Sequence, residues 1–381
     1  MHNNKINDIE ILRALAVLLV ILEHLHHLFP WLKQYDPLHI VTSFWGGVDI
    51  FFAISGFVIT TQLMRVYEDN RNQHFWTFAI PFWIRRIFRI WPSAILWISL
   101  VLVASIGFNK SGAFGDPIGN FADWVASILQ VANLHWYHCF QQKGTCGVNT
   151  IYWSLSLEEQ FYLIYPFIFF YLLRYSRKAL VVSLLTIIIA QIFIERPPRS
   201  LLWELRTDAL AWGALIALVT NHSICKVITP NILKNRIVSL IFTSLLIVLI
   251  SALGPNRVSS INTGLIGLLS GILVFVAAQN RDIIWPSGLG RSVLIWIGAR
   301  SFAIYLIHNF VFWTLRELFV RFYPNEALAN YSWQLGVFAL LLTLLLSDLN
   351  FRCIETPLRR KGARVAQNIR QPIENSFVTL K

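Results

Sequence analysis

Apolar residues run almost without interruption through ten stretches of the chain, at 9–29, 44–64, 87–108, 151–173, 180–194, 208–219, 238–253, 261–278, 301–320 and 333–346. A lipid core satisfies no free backbone N–H or C=O, so a spanning segment must be a helix or a strand of a closed barrel. Barrel strands alternate polar and apolar positions, and these runs do not. The pattern therefore predicts an all-α fold, a polytopic transmembrane helix bundle of about ten spans. The runs at 180–194 and 208–219 are short and are expected to extend into their flanks. One membrane domain over 1–364 takes up nearly the whole chain, followed by a polar tail at 365–381 that is expected to fray.

Composition sharpens this picture. Of 381 residues 56% are hydrophobic and 14% charged, well under the roughly 25% charged that a soluble domain carries. The net charge of +12 does not imply a nucleic-acid partner, because the basic residues lie between apolar spans rather than on an aromatic-studded face. They report topology instead. With a cytoplasmic N-terminus, the inner loops and tail receive more than twice the Lys and Arg of the outer loops, so both termini are expected in the cytoplasm. Lys5, Lys226 and Lys234 count toward the inner side, and Lys33, Arg196, Arg206 and Arg257 toward the outer. The first apolar run is too long for the core of a cleaved signal peptide and has no small-residue cleavage site. Cys139 and Cys146 share the long outer loop, where an oxidising compartment allows a disulfide, while Cys225 and Cys353 fall near the inner face. The two outer cysteines are equally compatible with unpaired small residues.

Ionisable groups inside spans are expensive and mark a pathway, a pair or a reaction centre. Arg13 and His24, eleven residues apart, share a helix face about 16 Å apart along the axis. Asp49, Glu158, Arg206 and Asp208 each lie within two turns of the outer end of their spans, so all are expected at the depth of His24. Carboxylates around an imidazole suit general acid–base chemistry, since a carboxylate orients the ring and stabilises its cation. The alternative is a set of buried ion pairs fastening helices.

On the inner side Arg86 and Arg89, three apart, share a face and could grip phosphates with two guanidinium forks, or anchor to anionic lipid. Tyr305 and His308, one turn apart, either line a cavity or hydrogen-bond between helices. Ser154 and Ser156 have no nucleophile elbow around them and are read as bundle hydrogen-bonders. His26 and His27 are adjacent and so point apart on a helix, and His135 with His138 sits in an outer loop without a clear third ligand, so no metal is expected.

These residues fall in a run of motifs that resembles the acyltransferase-3 family of bacterial multi-pass membrane O-acyltransferases. The motifs are Arg13 with His24 ten intervening residues later, GVDIFFAISGF at 47–57, RRIFRIWP at 85–92, WSLSLEEQFYLIYP at 153–166, RTDALAWGALIA at 206–217, SFAIYLIH at 301–308 and ETP at 355–357. Together they cover about 9–360. The resemblance implies transfer of an acyl group, usually acetyl, from acyl-CoA to a hydroxyl of lipopolysaccharide, another cell-surface or exported glycan or glycolipid, or a macrolide. It implies His24 as the catalytic residue with Arg13 also required, Asp49 and Glu158 as functional polar positions, and Arg86 and Arg89 as the acetyl-CoA site. Tyr305 and His308 join that site if they line its cavity.

The expected protein is thus an O-acetyltransferase of the bacterial cytoplasmic (inner) membrane, with acyl-CoA, a glycan acceptor and the lipid bilayer as partners. The sequence shows no fused SGNH-type domain after Glu355, so it is expected to act alone or hand over to a separate protein. The rival reading is a transporter or flippase whose buried charges bind a solute. No internal repeat supports it.

Overall fold

Every one of the ten apolar runs is helical in the computed structural model, which describes residues 6–29, 43–197, 199–220, 233, 235–254, 260–288 and 290–378. Among these residues there is no strand. Cys225 and the loop charges Lys5, Lys33, Lys226, Lys234 and Arg257 lie outside the described residues.

The main helices are α1 (Asn7–His24), α2 (Gly47–Asp69), α3 (Phe75–Gly107), α4 (Pro117–Ile128), α5 (Ala132–Phe140), α6 (Tyr152–Tyr175), α7 (Arg177–Phe193) and the single turn α8 (Leu201–Glu204). They continue with α9 (Asp208–Thr220), α10 (Arg236–Ala252), α11 (Ser260–Ala278), α12 (Arg291–Ala299), α13 (Ser301–Phe322), α14 (Ser332–Asn350) and α15 (Thr356–Val378).

Among the described residues four helical stretches are by themselves long and apolar enough to cross a bilayer: Gly47–Asp69, Phe75–Gly107, Ile261–Ala278 and the continuous Leu328–Ile369. Helices α12 and α13, bent by 77° at their junction, make a fifth if taken as one span. The other runs are shorter, as in α7, α9 and α10, or carry charge, as in α1 with Asp8, Glu10 and Arg13 and in α6 with Glu158 and Glu159.

The chain divides into two compact units. The first comprises Met1–His26, Trp31–Gln62 and Arg177–Tyr305. Glycines set its helix crossings. A Cβ on Gly56 of α2 would stand 2.0 Å from the Leu210 carbonyl oxygen, and one on Gly213 of α9 would stand 1.9 Å from that of Ala53. Two helices can approach this closely only where both lack side chains. Likewise Gly298 of α12 meets the Glu10 carbonyl of α1, at 1.7 Å from an added Cβ. Around these crossings Ile11, Leu12, Ile50, Ala53, Ile266 and Leu273 form a sealed apolar core.

The two ends of this unit are polar. At one end Glu23, at the close of α1, accepts from the Phe44 N–H (2.7 Å), and the Trp45 indole donates to the Gly254 carbonyl (2.8 Å). At the other, Asp8 accepts from the Ile283 N–H (3.2 Å) and from Arg291 (2.9 Å), while Arg177 donates to the Leu218 carbonyl.

The second unit comprises His27–Pro30, Leu63–Ser176 and Leu306–Lys381. Its axis is α3, which begins at Phe75 although the apolar pattern starts only at 87. The basic motif is therefore inside the helix rather than at its start. Charge had hidden the first turns from a pattern that counts apolar residues, and Pro81 and Pro92 do not break them. Helix α6 runs antiparallel to α3: the Trp83 indole donates to the Tyr162 carbonyl (3.0 Å), the Trp91 indole to Glu159 (3.3 Å), and the Tyr152 hydroxyl to the Ala94 carbonyl (2.8 Å).

Helices α14 and α15 join through one π-helical turn, Phe351–Glu355. Asn350 and Glu355 are five residues apart, which in an α-helix leaves about 140° between them. The extra residue of the π turn brings the two onto one face, where Asn350 donates to Ser93 of α3 (3.1 Å) and to Glu355 (2.9 Å) and accepts from the Trp97 indole of α3 (3.0 Å). The polar stretch after 364, expected to fray, continues α15 without a break to Val378.

Candidate active site

In the first unit, His24 ends α1 with its Nδ1 2.8 Å from the Val20 carbonyl oxygen. A carbonyl only accepts, so in the neutral ring Nδ1 carries the hydrogen and Nε2 holds the lone pair. One turn before His24, Val20 together with Leu19 and Ala16 packs against Gly47, the first residue of α2. This sets Asp49 at the same end of the unit.

Asp49, fully buried, gives both carboxylate oxygens to Arg206, Oδ1 to Nε (3.2 Å) and Oδ2 to Nη2 (3.3 Å). The guanidinium also lies over the rings of Trp203 (4.3 Å) and Trp45 (5.1 Å). Asp208 pairs with Arg196 at 2.9 Å, both side chains 1% exposed, and Gln191 accepts from the backbone N–H groups of Thr207 and Asp208. Asp49, Arg206 and Asp208 thus gather at the end where α1 stops, as expected. The orientation of the imidazole differs from the expectation: the Val20 carbonyl fixes the ring, and Asp49 is committed to Arg206.

The sequence reading missed two partners. Arg196, counted as a loop charge, is buried, and Glu10 pairs with Arg13 at 2.8 Å. The i,i+3 spacing of Glu10 and Arg13 was a readable sign of the second. Just outside the spans, burial pushes the Glu204 carboxyl up to about 7, against the pull of Arg206.

In the second unit, Arg86 is buried with its guanidinium over the rings of Phe82 (5.4 Å) and Tyr162 (5.3 Å). The Tyr162 hydroxyl donates to Glu158, and Glu158 and Glu159 are both electrostatic neighbours of Arg86. Arg89 is half-buried and makes no hydrogen bond or ion pair with any described residue.

This corrects the depth assigned to Glu158. The apolar pattern alone puts Glu158 and Arg86 near opposite mouths, but the two belong to one cluster. The cause is the segment before α6, which turns back into the unit, so that α6 begins beside Ala94 and Glu158 falls level with Arg86. Arg86 and Arg89 also differ from a bare anion grip, because two carboxylates offset their charge.

His308 is fully buried against Phe312, and Tyr305, 9% exposed, packs its ring on Phe51. Ser156 accepts from the Ala132 N–H (3.2 Å) and Ser154 donates to the Ile151 carbonyl (3.2 Å), the bonding role expected of both. Cys139 and Cys146 form a disulfide. His135, Cys139 and Cys146 bring their ligand atoms within 4.8 Å of one another, but the disulfide ties up both sulfurs.

The Acyl_transf_3 family, an acyltransferase domain, matches residues 6–350. The chain belongs to this acyltransferase-3 family. Among curated family relatives, a Staphylococcus aureus (strain MRSA252) protein named "Putative O-acetyltransferase" is 27% identical over 97% of this chain and 59% of its own length. "Peptidoglycan O-acetyltransferase OatA" of Listeria monocytogenes is 27% identical over 93% of the chain and 56% of its own length. The chain thus spans under three fifths of the curated relatives it matches. No solved structure matches it.

Proposed function

We propose that this acyltransferase-3 protein is a membrane O-acetyltransferase that moves an acetyl group from acetyl-CoA to a hydroxyl of a cell-surface glycan, with peptidoglycan the first acceptor to test. The observation that carries the reading is the 2.8 Å contact of His24 Nδ1 with the Val20 carbonyl, which makes Nδ1 the donor and Nε2 the basic nitrogen of the neutral ring. Such a nitrogen can take the proton of an attacking hydroxyl.

In this reading the acceptor oxygen forms the new ester bond with the acyl carbon, the thioester C–S bond breaks, and His24 passes its proton to the leaving thiolate. Arg13, held by Glu10 about 16 Å along α1 from His24, steadies the extended arm of the donor. Arg89, which has no ion pair among the described residues, binds phosphate of the donor, and Arg86 is the buried member that Glu158 and Tyr162 hold in place. Asp49, paired with Arg206, keeps its end of α2 and α9 joined, and Tyr305 and His308 act as packing residues against Phe51 and Phe312. The ten helical runs are ten spans with both termini in the cytoplasm, in the bacterial cytoplasmic membrane. The basic inner loops support that orientation.

The test uses the full chain in proteoliposomes with acetyl-CoA and muropeptide acceptors, scored by mass spectrometry for products heavier by one acetyl group. Acetylated product lost in His24→Ala, with the protein still inserted and folded, is the expected result. Undiminished product from that variant removes His24 from the mechanism. Solute movement without acetyl transfer favours a transporter.

A further inference from the structure

Residues 108–150, which read as a loop on the outer surface, contain the hairpin of α4 and α5, and its polarity is inverted for a helix in water. Along α4 and its end, Asn120, Asp123, Ser127 and Gln130 follow a 3, 4, 3 spacing that makes one helical stripe. The first three are buried. The opposite face shows Ile118, Phe121 and Leu129 at 69%, 55% and 65% exposure. A helix covered by water shows the reverse.

The hairpin also goes deep. Its tip, Gln130, shares a narrow crevice with Trp91 and Ala94 of α3 and Tyr152 of α6. Those α3 residues stand 13 to 16 positions before its end at Gly107, which is about 20–24 Å along the axis. The last turns of α3 themselves display Val103 and Ile106, 66% and 71% exposed, in the stretch that reads as a span. A surface loop would not reach this level beside an apolar helix.

Backbone at such depth must be satisfied by protein, and here it is. The Leu129, Gln130 and Val131 N–H groups bond back to Val125, Ser127 and Ala126. The Gln130 carbonyl accepts from Gln160 (2.8 Å), the Ala132 N–H donates to Ser156 (3.2 Å), and Asn133 exchanges bonds with Gln160 (2.9 and 3.2 Å). Ser156 and Gln160, four apart in the WSLSLEEQ motif, thereby hold the tip. Farther up, buried Asp123 accepts from His135 (2.9 Å) and from the Gly147 and Asn149 N–H groups (3.2 and 3.0 Å), which ties the disulfide loop to α4.

We infer that α4 and α5 form a re-entrant hairpin that enters the bilayer from the side on which α3 ends, with the hydrocarbon of the lipid covering Ile118, Phe121 and Leu129. The inference does not depend on the proposed chemistry. Its consequence for any chemistry is that the second unit carries a polar stripe down to the level of Trp91, beside Glu159.

Single cysteines at Ile118, Phe121, Leu129 and, as the water-exposed reference, Lys143 test it in the full chain. Cys225 and Cys353 are replaced by serine, the Cys139–Cys146 disulfide is kept, and the protein is placed in phosphatidylcholine–phosphatidylglycerol vesicles. A charged, impermeant maleimide is expected to label Phe121→Cys and Leu129→Cys at least about tenfold more slowly than Lys143→Cys. A fluorophore introduced at Leu129→Cys in detergent before reconstitution is expected to be quenched more by lipid carrying its nitroxide deep in the chain than by lipid carrying it near the headgroup. Ile118→Cys, at the top of α4, should show the opposite preference. Labelling at the Lys143→Cys rate, or a disulfide-linked dimer through Phe121→Cys showing that a second copy covers the face, would overturn it.

Discussion

Asp49 and Arg206 meet through two parallel hydrogen bonds, 3.2 and 3.3 Å long, between side chains 1% exposed and 157 positions apart in sequence. One belongs to GVDIFFAISGF and the other to RTDALAWGALIA, so a fork-to-fork contact joins two motifs that look independent along the chain. Removing one partner leaves the other charge buried, which costs about 3–5 kcal/mol. Asp49→Ala and Arg206→Ala should each lower the melting temperature in detergent sharply. The double variant should melt higher than the sum of the single losses; strict additivity would show that the pair is not coupled.

The same two helices depend on Gly213. An alanine there would place its Cβ 1.9 Å from the Ala53 carbonyl oxygen, so α2 and α9 must part. Gly213→Ala is expected to cost about 1–3 kcal/mol and Gly213→Val more, read as yield of monodisperse protein and as melting temperature. Gly107→Ala, where an added Cβ meets nothing within 4 Å, is the control.

Arg89 and Arg86 should separate by phenotype. Arg89→Ala is expected to leave the fold intact and to raise KM for acetyl-CoA about tenfold or more, the loss of one charge-assisted contact. Arg86→Ala leaves Glu158 and Glu159 without the guanidinium that offsets them, so its melting temperature should fall first. Equal effects of the two on KM and on melting would contradict the division of roles.

Glu204 gives a pH dependence of stability. Its carboxyl titrates near 7 in the folded chain, above the ordinary value, because burial disfavours the charge. The folded state therefore holds its proton more tightly than the unfolded state. The stabilisation is fully present below the ordinary carboxyl range and is lost as pH rises toward 7, by an amount on the order of 3 kcal/mol. Melting temperature should fall between pH 5 and 7.5, and Glu204→Gln should flatten that slope. A slope unchanged in the variant would assign it to another group.

Helical runs and membrane character were legible because a long apolar stretch has few alternatives in lipid, and each of the ten runs is a helix. The clustering of Asp49, Arg206 and Asp208 was legible too, since all three sit near the same ends of their helices. What failed was any inference that measured depth from a supposed surface. Glu158 was placed by counting from the start of its run, but that start lies beside Ala94, inside the unit, because residues 116–151 fold inward first. Likewise the first turns of α3 were invisible to a count of apolar residues, since Arg85, Arg86 and Arg89 interrupt it. Contacts such as Asn350 with Glu355 were out of reach for a different reason: five residues apart, they share a face only because one turn is wider than the rest.

That wider turn has a mechanical meaning. With one additional residue in a single turn, the side chains from Thr356 to Ile369 are rotated by about 100° from where the periodicity of α14 would point them. Gly362, which lets α15 lie against Phe88, keeps that contact only in the shifted phase. The joint between α14 and α15 is in effect a keyed coupling. Taking out one residue between Phe351 and Ile354 should turn the last helix away from α3, whereas exchanging a side chain there should not.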